Sequence, residues 1–131
     1  MMGPIDRLVE RLEGRAPTIA MVLGSGLGGL VDEITDAVRV PYGDLPGFPQ
    51  SGVTGHAGQL VAGNFAGVPV AILAGRAHYY EHGDAAAMRP ALQALAGIGV
   101  TRLILTNAAG SVDPDMPPGS VMLLTDHINF S

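Results

Sequence analysis

Apolar and polar positions follow two periods along this chain, and the changes of period mark its elements. Ile5, Leu8, Val9 and Leu12 recur at helical spacing among Asp6, Arg7, Glu10, Arg11 and Glu13, which predicts a short amphipathic helix within Met1–Arg15. Thr18–Leu23 is a continuous apolar run that breaks at Gly24, the pattern of a buried strand entering a glycine-rich turn. Beyond Gly24-Ser25-Gly26-Leu27-Gly28-Gly29, helical spacing returns at Leu27, Leu30, Val31 and Ile34. Strand, tight loop and helix in that order aim backbone N–H groups and the Ser25 hydroxyl at whatever occupies the helix start.

From Val40 to Gly58 prolines and glycines are too frequent for a regular element, and the expectation is a long ordered loop that His56 closes. Gln59–Phe65 and Val68–Ala74 are apolar segments separated by Ala66-Gly67, a β-hairpin pattern. Asp84 is placed to cap a helix whose first turn is Ala85-Ala86-Ala87, whose stripe includes Met88, Leu92 and Leu95, and which Gly97 and Gly99 stop. Pro90 is tolerated only early in that helix. Arg102–Thr106 is expected as another buried strand running into Asn107-Ala108-Ala109-Gly110, and Ser120–Leu124 as a last short strand. No repeat or linker divides the chain, so residues 1–131 are expected to form one domain.

The densest chemistry follows the second hairpin arm, in Arg76-Ala77-His78-Tyr79-Tyr80-Glu81. In an extended segment Arg76, His78 and Tyr80 share one side, so a cation and an imidazole can converge on one anion while a phenol reaches a sugar hydroxyl. Glu81 falls on the opposite side unless the chain bends. An oxyanion held beside a sugar is the chemistry those residue types suit best, at a strand end where open α/β sheets keep their ligand crevice. Asn107 either caps a turn or belongs to a small-residue loop that lets a ligand approach backbone N–H groups.

Composition narrows the field. The 131 residues are 47% apolar with a net charge of −5 and no lysine, which suits a cored domain and disfavours the basic stripe that nucleic acid requires. The absence of cysteine excludes disulfides and thiolate metal sites. No apolar run approaches the roughly 18 residues of a membrane span, and the N-terminus lacks a secretory pattern, so a cytoplasmic protein with no membrane partner is expected. Gly24, Gly26 and Gly29 satisfy G-x-G-x-x-G with Asp44 near the distance of a ribose-binding acid, but the hairpin that follows is not the crossover a dinucleotide fold needs. A Walker lysine is missing, Ser25 lacks a nucleophile elbow, and the histidines show no metal-ligand spacing, so no metal is expected.

Taken together, Gly24-Ser25-Gly26-Leu27-Gly28, Tyr42-Gly43-Asp44-Leu45-Pro46-Gly47-Phe48-Pro49, Gly55-His56-Ala57-Gly58, Gly75–Glu81, Thr106-Asn107-Ala108-Ala109-Gly110 and Asp126-His127-Ile128-Asn129 resemble the trimeric type of purine nucleoside phosphorylase. That resemblance implies an α/β fold, a mixed β-sheet flanked by helices that is incomplete at the C-terminus. It implies phosphate held by Ser25, His56, Arg76, His78 and the backbone of Ala108, ribose met by Tyr80, and support from Glu81 and Asn107. The implied reaction is phosphorolysis of a purine nucleoside by a homotrimer, with inorganic phosphate as co-substrate and no metal or organic cofactor. Two features depart from the family: His82 stands where glycine commonly follows the glutamate, and the residues that grip the purine lie beyond this chain. The expectation is therefore an N-terminal half without appreciable phosphorolytic activity alone. A non-catalytic phosphate- or nucleotide-binding module and a methylthioadenosine phosphorylase are the alternatives.

Overall fold

The computed structural model describes residues 3–49, 58–75 and 85–129. Helix α1 (Pro4–Arg11) opens with proline in its first turn, and the Gly3 N–H donates to the Asp6 carboxylate at 3.3 Å. Strand β1 (Ile19–Val22) follows, then a 3-10 turn (Gly28–Glu33), strand β2 (Thr35–Pro41) and a second 3-10 turn (Tyr42–Asp44). Strands β3 (Gln59–Phe65) and β4 (Val68–Ala74), helix α2 (Arg89–Gly97) and strand β5 (Arg102–Leu105) complete the order.

Among the described residues, five strands form one mixed sheet in the order β2-β3-β4-β1-β5. β3 pairs antiparallel with β2 and β4, whereas β1 lies parallel between β4 and β5. The β3–β4 hairpin has the limits its apolar pattern predicts, and its turn uses positive φ at Ala66 (49°) and Gly67 (82°). Left-handed torsions at both turn positions match the twist of the flanking strands, which is why a two-residue loop closes here.

Alternate strand residues feed opposite cores. Ala20, Val22, Leu60, Ala62, Ala71 and Leu73 pack on one face with Leu8 and Leu12 from the α1 side and Ala91, Ala94 and Leu95 of α2. Val61, Val70 and Ile72 point to the other face, where Val31 and Ile34 cover them. Gly63 is small of necessity: a Cβ there would lie 2.6 Å from the Thr35 carbonyl oxygen.

Several sequence expectations need correction. The segment after the glycine loop is a 3-10 turn, not an α-helix, and β2 occupies residues whose spacing predicts no element. In β2, Val38 and Val40 face inward at period two, but the ladder is interrupted by a bulge between Thr35 and Val38 that masks the alternation. Asp36 adopts φ 52° at the bulge, and Arg15 holds it by donating to its carbonyl oxygen at 2.8 Å and its carboxylate at 3.0 Å. The long proline- and glycine-rich stretch begins inside β2, and the Tyr42–Asp44 turn gives it regular structure. β5 is not buried, because among the described residues only β1 borders it. Residues 120–124 form no strand and are exposed.

Candidate phosphate-side site

Strand direction gathers the candidate segments at one end of the sheet. β1, β4 and β5 are parallel, so Gly24-Ser25, Gly75 and Thr106-Asn107 all leave from their C-terminal ends. β3 runs the other way with Gln59 opposite Ala74, which brings the chain entering from Gly58 to that same end. Four connections flagged in the sequence thus meet along one sheet edge, where parallel α/β sheets open their ligand crevice.

Thr106 fastens two of them together. Its hydroxyl donates to the Val22 carbonyl at 2.9 Å and accepts the Gly24 N–H at 2.9 Å, across 82 residues of chain from Gly24. Contact is close enough that a Cβ on Gly24 would lie 2.6 Å from the Asn107 Cα and 2.8 Å from the Thr106 carbonyl oxygen. Only glycine permits that approach. The result sets the Ser25 loop against the Asn107-Ala108 loop, with Ser25, Asn107 and Ala108 all exposed to a prospective ligand.

Tyr42 fastens the other two. Its N–H donates to the Gly58 carbonyl at 3.0 Å, and its phenol donates to the Gly75 carbonyl at 2.5 Å. The ring lies close enough to Gly58 that a Cβ there would stand 2.3 Å from two ring carbons. Gly75 itself has φ 123°, and a Cβ on it would meet the Gly58 Cα at 3.1 Å. Phe48 packs on the tyrosine with ring centroids 5.5 Å apart, and only 3% of Tyr42 is exposed. Burial pushes the phenol well above the ordinary tyrosine range, so it stays protonated and able to donate.

Among the predicted site residues, Ser25, Asn107 and Ala108 occupy adjoining loops. His56, Arg76, His78, Tyr80 and Glu81 lie outside the described residues. Asp44, the candidate ribose acid of a dinucleotide site, instead pairs with Arg11 at 2.6 Å. The antiparallel β3–β4 pairing likewise departs from the crossover such a site requires. Sequence reasoning missed Thr106 as a clasp and saw Tyr42 only as part of a spacer. The three-residue spacing of Tyr42, Leu45 and Phe48, all buried, was the available signal for the second.

The mixed sheet, with several loops gathered at the C-terminal ends of its parallel strands, defines an α/β protein. The phosphorylase superfamily model matches residues 18–131, and the chain belongs to that superfamily. It is 47% identical over 128 residues to "Purine nucleoside phosphorylase 1" of Geobacillus stearothermophilus, covering 95% of this chain and 47% of that protein. A solved purine nucleoside phosphorylase in complex with ribose-1-phosphate superposes with a TM-score of 0.77 at 30% identity, covering 91% of this chain and 46% of the other. The Schistosoma mansoni enzyme complexed with inosine gives 0.76 at 30% identity, over 88% and 41% of the two chains. The chain therefore spans less than half the length of these relatives.

Proposed function

We propose that this chain is the phosphate-side portion of a purine nucleoside phosphorylase. The observation that carries the reading is the meeting of the Gly24, Gly58, Gly75 and Asn107 connections at one edge of the sheet. Its complement is the identity of the similar proteins, one of which binds ribose-1-phosphate and another inosine. In this reading Ser25, His56, Arg76, His78 and the Ala108 N–H hold inorganic phosphate, Tyr80 meets the ribose, and Glu81 and Asn107 support them.

Phosphate attacks C1′ of the nucleoside while the C–N bond breaks and its electron pair leaves with the purine. The sugar passes through an oxocarbenium-like state, which the phosphate charge stabilises at close range. Fixed donors cost no reorganisation when the charge develops, so positioning the phosphate contributes on the order of several kcal/mol to the barrier reduction. Phosphate is the co-substrate, and neither metal nor organic cofactor takes part. The working form in this proposal is a cytoplasmic homotrimer.

The test joins residues 1–131 in frame to the C-terminal remainder of the Geobacillus relative and measures conversion of inosine to hypoxanthine. Phosphate-dependent release is expected from the hybrid and no appreciable release from residues 1–131 alone. A folded hybrid that releases no base, or releases it equally without phosphate, would overturn the reading.

A further inference from the structure

We infer that Tyr42 is a positioning residue for phosphate, acting through Gly58 and Gly75 without touching the ligand; the inference rests on the phosphate-side reading above. Tyr42 belongs to none of the segments that reading assigns to phosphate, yet it bonds to both strand ends from which two of them extend. Its amide holds the Gly58 carbonyl at the entry to β3, and its phenol holds the Gly75 carbonyl at the exit from β4. In sequence His56 comes two positions before the first glycine, and Arg76 comes directly after the second.

The geometry is more specific than core packing requires. A peptide unit is planar, so a bond to the Gly75 carbonyl oxygen fixes the orientation of the peptide group at the end of β4. Gly75 at φ 123° has a backbone that side-chain-bearing residues rarely adopt, and without an external restraint glycine samples both signs of φ freely. The phenol supplies that restraint. The ring in turn is fixed by its close contact with Gly58 and by Phe48. The tyrosine is thus a strut between two strand ends, the Gly58 entry to β3 and the Gly75 exit from β4. Preorganisation of this kind appears in ligand affinity, because directions not sampled in the free protein need not be lost on binding.

Inorganic phosphate is titrated by calorimetry into the 131-residue chain and into Tyr42→Phe, well below both melting temperatures. The phenylalanine keeps the ring and removes the hydroxyl. Phosphate affinity is expected to fall about fivefold, the size of one lost hydrogen bond. Equal affinity in the two folded proteins would refute the inference and leave the functional reading standing; a wild-type chain that binds no phosphate would remove both. Hydrogen exchange on the wild-type chain gives a measurement that does not depend on how the variant folds. Coupling is reciprocal, so phosphate must strengthen the strut if the strut favours phosphate. Saturating phosphate is expected to slow exchange of the Tyr42 amide more than that of the helix α1 amides, whereas a purely structural tyrosine would share only the slowing that ligand binding gives the whole core.

Discussion

At the scale of single residues, this edge of the sheet depends on what is too small to see in a composition. Gly24 has no room for a methyl group, since the Asn107 Cα stands 2.6 Å from where a Cβ would be. Gly24→Ala should therefore push the Ser25 and Asn107 loops apart, and we expect phosphate binding to drop at least tenfold as the donors lose register. Calorimetry of the folded variant checks this. Thr106→Val keeps the shape and deletes the oxygen that accepts the Gly24 N–H. Leaving that donor unpaired should lower unfolding free energy by about 1–3 kcal/mol in urea denaturation. The glycine loop and Asn107 were legible in the sequence because small residues after an apolar run have few uses. Thr106 was not, because a threonine ending a strand reads the same whether or not a distant amide meets it.

At the scale of elements, packing is expected to outweigh charge in helix α1. Helix α1 is anchored by Leu8, which is fully buried, and by the Arg11–Asp44 ion pair, whose side chains are 36% and 46% exposed. Leu8→Ala should cost about 2–5 kcal/mol. Arg11→Ala should cost less than about 1 kcal/mol, because water screens an exposed pair. Denaturation of both variants at low and high salt tests the contrast, with only the arginine effect fading as salt rises. The ends of the β3–β4 hairpin are legible in the sequence because its determinants are local: two apolar arms and a two-residue turn. β2 escaped because its bulge at Asp36 interrupts the alternation, and the restraint that holds the bulge comes from Arg15, more than a strand's length away in sequence. The 3-10 turn at Gly28–Glu33 carries the apolar spacing of an α-helix, but paired glycines give its start little helical propensity.

At the scale of the whole molecule, the buried Tyr42 phenol and the exposed strand β5 each predict a behaviour in solution. Tyr42 has its folded pKa raised above an unfolded value near 10. Its contribution to stability is thus complete below about pH 10 and is lost as pH climbs toward the folded pKa. Unfolding free energy should fall above pH 10 by up to about 1.4 kcal/mol per pH unit, a slope absent from Tyr42→Phe in parallel melts. Along β5, Leu103, Ile104 and Leu105 are 41%, 46% and 67% exposed. An apolar strand edge is a template for association, so Leu105→Lys should reduce concentration-dependent self-association of the chain in sedimentation velocity. Sequence alone determined the apolar runs, the hairpin and the glycine loops, because each depends on neighbours within a few residues, and the family resemblance, because it rests on the order of short contiguous motifs. Only the tertiary structure decided that β5 lies open on both faces, that Asp44 answers Arg11, and that Tyr42 and Thr106 clasp opposite pairs of loops. Those outcomes depend on strand order and direction, which bring distant residues within hydrogen-bond reach; local spacing, as at Tyr42, Leu45 and Phe48, marks burial and not the partner.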